Sequence, residues 1–352
     1  MKFQHHLQDR IEKGSLRSLL SFDNHADFWS NDYLGLAQRA HTIEITGSTG
    51  SRLISGNSKT IEDSESRIAA HFQSEAALVF NSGYDANVGL FSSLPQKGDT
   101  ILYDELVHAS VRDGIRLSFA NSFSFRHNDA ADLEKKLKKA TGTIFVAVES
   151  LYSMDGDIAP LVEINRLCTA YKALLIVDEA HSGGVFGKEG KGLCNELGIS
   201  DSVFIRLFTF GKAYGAHGAA VCCPEEVRQF LINFARSFIY TTALPEAMYL
   251  HIVHQIEQSK NPALREKLQK NIAHFTQSIQ STLSASNSPI QVLEFSDLEV
   301  CKQKADQLQQ AGFAVKAILP PTVPAGSQRL RICIHAFNTE PEIDHLIGFL
   351  KG

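Results

Sequence analysis

Short apolar runs alternate with amphipathic stretches along the first two thirds of the chain. Each run has four to eight residues, is bounded by glycine or polar residues, and is typical of a strand buried on both faces of a sheet. The predicted strands are 76–80, 100–103, 122–127, 143–148, 173–177, 203–210 and 218–223. Because helical patterns separate most of them, we predict an α/β fold with a mostly parallel, doubly wound sheet.

The pattern changes after residue 224. Two long helices are predicted at 225–238 and 245–258, followed by a candidate hinge at 261–263. Beyond the hinge, helices are predicted at 264–284, 297–311 and 340–350, with strands at 290–295, 314–318 and 330–334. A short helix is predicted at 7–20. We therefore expect an N-terminal segment (1–36), a large domain (37–258) and a smaller α+β C-terminal domain (259–352).

Composition excludes several classes of protein. The 352 residues are 43% hydrophobic and 21% charged, which is ordinary for a globular chain. The net charge of -5 favours neither nucleic acid nor an anionic membrane as a partner. No apolar run approaches the roughly 18 residues of a membrane-spanning helix. The six cysteines contain no C-x-x-C pair and the N-terminus has no apolar signal core, so we expect reduced thiols, no metal site and a cytoplasmic location.

Polar side chains follow several predicted strands directly, and such strand ends gather at one edge of an α/β sheet. Asp178 and Lys212 each follow an apolar run, and His108 lies in the exit loop of another. Gly83 and Tyr84 begin a helix, whose free N–H groups favour an anion such as phosphate. A pyridoxal phosphate (PLP) site has these parts: a phosphate site, a flat ring that stacks on the cofactor, an acid for the pyridinium N–H and a reactive amine. Each part alone is common, since a carboxylate after a strand can cap a helix and a lysine there is usually solvated.

Longer stretches, in collinear order over nearly the whole chain, resemble the α-oxoamine synthases, a family of fold-type I PLP enzymes. The stretches are S-N-D-Y-L-G-L (30–36), G-S-x-G-S (47–51), S-G-Y-x-A-N (82–87), H-A-S (108–110), S-M-D-G-D-x-A-P-L (153–161), V-D-E-A-H (177–181), T-F-G-K (209–212), I-Y-T-T (239–242) and P-P-T-V-P-A-G (320–326).

The resemblance implies an activity and partners. We expect a decarboxylating condensation of L-alanine with a pimeloyl thioester of CoA or acyl carrier protein, giving 8-amino-7-oxononanoate for biotin synthesis, in a homodimer with shared active sites. Leu319 stands where an arginine is common near the acyl carboxylate. Members using glycine (2-amino-3-oxobutyrate CoA ligase) or serine (serine palmitoyltransferase-like) stay open as alternatives. A non-catalytic partner subunit and another fold-type I aminotransferase or lyase are more distant ones.

The resemblance also implies residue roles. Lys212 would hold the cofactor covalently and act as base and acid at the substrate α-carbon, His108 would stack on the ring, and Asp178 would keep the ring nitrogen protonated. Further cofactor contacts would come from Gly83, Tyr84, Ser153, His181, Thr209, and, from a dimer partner, Thr241 and Thr242. Asn31 and Arg331 would bind the amino-acid carboxylate or its surroundings, Arg17 the acyl substrate, and Thr322 would line the acyl entrance.

Overall fold

The computed structural model describes residues 8, 10–14, 25–39, 47–279 and 286–351. The chain divides into two compact units. The large unit comprises Asp32–Ser153 and Asp157–Arg265, and the small unit comprises Met1–Asn31, Met154–Gly156 and Glu266–Gly352. The domain boundaries expected after residues 36 and 258 stay a prediction.

Twelve strands and twelve α-helices have defined bounds within the described residues. The strands are β1 Ala26–Asp27, β2 Ala76–Phe80, β3 Thr100–Asp104, β4 Asn121–Phe125, β5 Ile144–Glu149, β6 Leu174–Asp178, β7 Ile205–Thr209, β8 Ala219–Cys223, β9 Ile290–Phe295, β10 Phe313–Ala314, β11 Lys316–Ile318 and β12 Gln328–Cys333. The helices are α1 Lys59–His71, α2 Gly83–Ser93, α3 Ala109–Leu117, α4 Ala130–Leu137, α5 Leu161–Ala170, α6 Leu193–Glu196, α7 Glu225–Phe234, α8 Arg236–Ile239, α9 Glu246–Ser259, α10 Pro262–Ile279, α11 Leu298–Gln310 and α12 Glu340–Lys351.

A seven-stranded sheet forms the centre of the large unit, in the order β2-β8-β7-β6-β5-β3-β4. Strand β8 runs antiparallel to both of its neighbours, and all other pairs are parallel. The mostly parallel α/β sheet predicted from the sequence is therefore confirmed. The carboxyl ends of β3, β5, β6 and β7 lie at one edge, which places the residues that follow them near one another.

The sheet is buried on both faces because alternate side chains of each strand point to opposite sides. Leu78 and Phe80 of β2 enter one hydrophobic core together with Leu90 of α2. Val79, between them, enters a second core with Ile68 of α1. Helices therefore cover both faces, as expected for a doubly wound fold.

The small unit has an antiparallel sheet in the order β11-β12-β9 and a short parallel pair formed by β1 and β10. This agrees with the expected α+β character of the C-terminal region. Within the ranges that the structure covers, no helix combines the length and apolar character needed to cross a membrane.

Several element boundaries differ from the sequence predictions. The helix predicted at 225–238 is divided into α7 and α8, because Ala235 has ψ 101° and leaves the helical region. Pro262, predicted to form a hinge, instead opens α10, where its missing N–H has no intrahelical partner to lose. The strand predicted at 314–318 is interrupted at Val315, and β1 was not predicted. Most of the helix predicted at 7–20 lies outside the described residues.

Candidate active site

The start of α2 passes closely against the end of β7. Ser82 caps α2, and its Oγ accepts a hydrogen bond from the Asp85 N–H at 3.1 Å. The N–H groups of Gly83 and Tyr84, in the first turn, have no intrahelical acceptor. A Cβ added at Gly83 would lie 2.5 Å from Thr209 Cγ2, so only glycine fits here. The predicted phosphate residues Gly83, Tyr84 and Thr209 are therefore brought together.

Thr241 and Thr242 lie beside the same turn of their own chain. Asn81 Nδ2 donates to Thr241 Oγ1 at 3.1 Å and to the Thr242 carbonyl at 3.0 Å. Asn81 immediately precedes the cap of α2, so both threonines lie close to the helix start. Their expected contribution across a dimer stays a prediction.

Asp178, the last residue of β6, is a buried carboxylate held by two donors. Its Oδ2 accepts from Asn87 Nδ2 at 2.9 Å, and its Oδ1 accepts from the Ala180 N–H at 3.0 Å. A carboxylate with two fixed donors keeps a defined orientation, as a partner for a pyridinium N–H requires. In the part of the chain that the structure describes, no ion pair joins Asp178 to Lys212.

Glu149, the last residue of β5, is a second buried carboxyl group at this edge. Its Oε1 accepts the His108 N–H at 2.7 Å. Burial, together with the negative charge of Asp178, raises the pKa of Glu149 to about 8. Glu149 is therefore mostly protonated at neutral pH.

His181 links the hydroxyl of Tyr33 to the amine of Lys212. The Tyr33 hydroxyl lies 2.8 Å from His181 Nδ1, and Lys212 Nζ lies 2.8 Å from His181 Nε2. His181 is buried, whereas Lys212 is half-buried in the loop after β7. The predicted amine and one predicted cofactor-binding imidazole are thus in direct contact.

His108 caps α3, because its Nδ1 accepts a hydrogen bond from the Ser110 N–H at 3.2 Å. Burial lowers the pKa of His108; the charge of Asp178 opposes this effect, and that of Lys212 reinforces it. The ring is therefore neutral at neutral pH. An uncharged flat ring can stack on an aromatic cofactor without a cost for burying charge.

Ser153 lies in the loop after β5, which an ionic contact holds to the end of β3. His127 lies 2.9 Å from Asp104 and 2.8 Å from Asp157 of this loop. Burial lowers the pKa of His127, but the hydrogen bonds to both carboxylates outweigh it and raise the pKa to about 10. A charged His127 therefore fixes the loop that carries Ser153.

The predicted substrate residues that are described lie in the small unit. Arg331 of β12 donates from Nη2 to Asn31 Oδ1 at 2.9 Å and from Nη1 to Cys333 Sγ at 3.0 Å. Thr322 is exposed in the loop that connects β11 to β12. Arg17 lies outside the described residues.

A cavity of about 800 Å³ in the small unit adjoins the loop that carries Thr322. Its lining includes Pro321 and Gly326, the cationic residues Arg10 and Lys13, and the carboxylate residue Asp297. Sequence reasoning did not find this combination, because the two segments are distant in the chain.

Sequence reasoning also did not assign roles to Tyr33, Asn87, Ser110, His127 and Glu149. Two of them had a recognisable signal. Asn87 lies one helical turn after Gly83, on the buried side of α2. Glu149 ends a buried strand in the same way as Asp178. Tyr33 and Ser110 lie in stretches that carry the family resemblance, at 30–36 and 108–110, although no role was assigned to them. His127 is identified only by its contacts.

The large-unit residues fit PLP. Gly83 lies against Thr209 without a side chain of its own, which keeps the first N–H of the helix open, as a phosphate cradle requires. Asp178 is an oriented acceptor for a ring N–H, His181 is a partner for a phenolic oxygen, and the Lys212 amine suits an aldehyde carbon.

Three comparisons with known proteins agree. A family profile described as aminotransferase class I and II matches residues 24–350. The 8-amino-7-oxononanoate synthase of Emericella nidulans is 40% identical, over 97% of this chain and 91% of its own. A solved 8-amino-7-oxononanoate synthase from Francisella tularensis is 30% identical with a TM-score of 0.80, covering 93% and 96% of the two chains. A solved variant of serine palmitoyltransferase from S. paucimobilis with a bound PLP–myriocin aldimine is 26% identical with a TM-score of 0.90, covering 99% of this chain and 96% of its own.

Proposed function

Because the chain belongs to the class I and II aminotransferase family, and within it to the PLP-dependent α-oxoamine synthases, we propose that it makes 8-amino-7-oxononanoate. In the proposed reaction L-alanine and a pimeloyl thioester give the amino ketone, CO₂ and the free thiol of CoA or acyl carrier protein. The observation that carries this proposal is the 40% identity to a synthase of that name over almost the full length. Asp178 at the end of β6, His181 shortly after it and Lys212 in the loop after β7 support it.

Bound PLP would supply an electron sink for negative charge at the substrate α-carbon. Gly83, Tyr84 and Thr209, with Thr241 and Thr242, would bind its phosphate. Asp178 would accept the ring N–H, His108 would stack on the ring, and Ser153 and His181 would contact its remaining edge.

Lys212 is the proposed covalent anchor and proton carrier. Its amine would remove the proton from the substrate α-carbon and later return one. His181 would hold the amine in position, since its Nε2 lies 2.8 Å from Nζ while its Nδ1 contacts Tyr33. A positioned amine can contribute a factor of about 10² to 10⁴ to the rate as a general acid and base.

Arg331 is the proposed ligand of the amino-acid carboxylate. Asn31 and Cys333 each accept one of its N–H groups, which fixes the plane of the guanidinium group. A fixed guanidinium is suited to bind a carboxylate through two parallel hydrogen bonds.

Thr322 and Arg17 are the proposed contacts of the acyl donor. The cavity beside the Thr322 loop has two cationic side chains, Arg10 and Lys13, against one carboxylate, Asp297, in its lining. This balance supports an anionic ligand for this part of the small unit. A pimeloyl thioester, which carries a terminal carboxylate, is such a ligand.

We also propose a homodimer with shared active sites. Ile54 and Tyr240 are apolar side chains 84% and 73% exposed. Their loops are adjacent, because the Ala243 N–H donates to the Gly50 carbonyl at 3.0 Å. An exposed apolar surface beside Thr241 and Thr242 supports a partner subunit at this place.

A cytoplasmic location is part of the proposal. All six cysteines are buried and free, without a disulfide, which supports a reducing compartment.

Product identification tests the proposal. Purified holoenzyme would be offered alanine, glycine or serine against thioesters of several chain lengths, with mass spectrometry of the products and Lys212→Ala as the inactive control. We expect 8-amino-7-oxononanoate as the product from alanine and a pimeloyl thioester. The TM-score of 0.90 to a serine palmitoyltransferase favours serine with a long acyl chain as the second candidate. A product from serine alone, or from glycine alone, would contradict our assignment.

A further inference from the structure

We propose that Asn87 and Ser110 are positioning residues that hold His108 as the neutral tautomer with its proton on Nε2. The hydrogen bonds among these three residues do not depend on which reaction is catalysed. The effect of the tautomer on substrate binding rests on the proposed function.

The direction of the hydrogen bonds follows from Asp178. The Asp178 oxygen Oδ2 accepts at 2.9 Å, so the group of Asn87 that faces it is the amide NH₂. The second N–H of that NH₂ group donates to Ser110 Oγ at 3.0 Å. Asn87 therefore donates at both contacts, and its orientation is not ambiguous.

Ser110 transmits this direction to His108. Because Ser110 Oγ accepts from Asn87, its own O–H is free to turn to His108 Nδ1, which lies 2.7 Å away. The Ser110 backbone N–H points at the same nitrogen, at 3.2 Å. A ring nitrogen that faces two donors must be an acceptor, so the proton of the neutral ring is on Nε2.

The surroundings keep this chain intact. Asn87 is 3% exposed and Ser110 is fully buried, so water does not compete with their hydrogen bonds. The charged groups that act on His108 are Asp178 and Asp113, which favour its protonation, and Lys212, which opposes it. Glu149, which accepts the His108 backbone N–H, is mostly protonated at neutral pH. Burial decides the balance, and the pKa of His108 is lowered.

As a consequence of this tautomer, Nε2–H of His108 is a defined hydrogen-bond donor. With Nδ1 occupied by Ser110, His108 would present Nε2–H to an acceptor oxygen of the bound substrate, while its uncharged ring would stack on PLP. Asn87 couples this donor to Asp178, the proposed partner of the cofactor nitrogen, because one amide group contacts both Asp178 and Ser110.

The first test is ¹⁵N solid-state NMR of histidine-labelled holoenzyme at neutral pH. His108 would be assigned by the signal lost in His108→Asn. We expect one neutral imidazole with its proton on Nε2. A proton on Nδ1, or on both nitrogens, would overturn the proposal, and this measurement on the wild type does not depend on the folding of a positioning variant.

The second test removes the hydroxyl. In Ser110→Ala, Nδ1 of His108 keeps only the backbone N–H as a donor. We therefore expect part of the His108 population to carry its proton on Nδ1. We also expect a rise in the pKa of His108 of about half to one unit and a roughly 3- to 10-fold lower kcat/KM, the size of one hydrogen bond. The visible absorption of bound PLP should persist. Ser110→Thr, which retains a hydroxyl, should restore the tautomer.

Ser93→Ala is the matched control, because it removes a hydroxyl from α2 that bonds only the Gly89 carbonyl, at 2.6 Å. A Ser110→Ala enzyme with the tautomer, the pH profile and the kcat/KM of this control would refute the role of Ser110. A wild type that carries the expected tautomer but makes no amino ketone would refute the proposed function and leave the positioning role standing.

Discussion

Replacing Gly83 with alanine should weaken cofactor binding, because the added methyl group would collide with Thr209. The new Cβ would lie 2.5 Å from Thr209 Cγ2. Ordinary carbon contacts are about 3.5–4.0 Å, so the two groups must separate by about 1 Å or more.

Neither group moves easily. Thr209 is paired with Ala219 in the sheet, and its Oγ1 donates to the Ala180 carbonyl at 3.3 Å. The start of α2 is fixed by Ser82, which caps it. Overpacking of this kind costs about 1–3 kcal/mol. If the start of α2 yields, the N–H groups proposed to bind phosphate move with it, and the Kd for PLP should rise by roughly 10- to 100-fold.

Thr209→Ser provides the matched test, because it deletes Cγ2 and keeps the hydroxyl. The double variant Gly83→Ala/Thr209→Ser should recover most of the lost affinity, with a coupling free energy of about 1–3 kcal/mol. Gly211→Ala is a nearby control, since its Cβ would lie 3.6 Å from the Ala216 carbonyl, an ordinary contact.

The assay is titration of each apoenzyme with PLP by visible absorption, together with urea unfolding of the same samples. Wild-type affinity in Gly83→Ala would refute the steric argument. A double variant no better than Gly83→Ala alone would show that the methyl group of Thr209 is not the obstacle.

Three further predictions concern single side chains. Lys212→Ala should lower the turnover number by about 10²- to 10⁴-fold and abolish covalent cofactor attachment, both of which can be measured by product assay and intact-protein mass spectrometry. Glu149 has a folded pKa of about 8 against an ordinary 4.5, so the folded state holds a proton that the unfolded state releases. Its contribution to stability is therefore full below about pH 4.5 and is lost as the pH rises through about 8, and Glu149→Gln should flatten that decline in urea unfolding of the apoenzyme. Cys333→Ala removes one hydrogen-bond acceptor of Arg331 and should raise the KM for alanine about 2- to 10-fold with little change in kcat. Cys301→Ala, at another buried cysteine, is the control. An equal rise in KM in Cys301→Ala would contradict the role of Cys333 in orienting Arg331.

The sequence was sufficient for the architecture of the large unit because its strands are buried on both faces. A run such as 174–177 must be apolar throughout, and the polar residue that follows it marks the sheet edge. The parallel pairing of β5, β6 and β7, and the placement of Asp178 and Lys212 after two of them, follow from that pattern. Weaker signals failed: two-residue β1 has no periodicity, and Ala235 looks helical in sequence although its backbone ends a helix.

The sequence by itself thus determined the fold and the family resemblance, and it proposed the residues that would hold PLP, because these depend on local patterns and short motifs. Only the tertiary structure decided which partners orient them. Asn87 reaches Asp178 across 91 positions and Tyr33 reaches His181 across 148, distances at which no periodicity carries information. The tertiary structure also decided the protonation of Glu149, since the pKa of a carboxyl group depends on its burial and on the charges that folding brings near it. Hydrogen-bond direction is a property of a three-dimensional network, and so the tautomer of His108 could be inferred only after Asn87 and Ser110 had been placed.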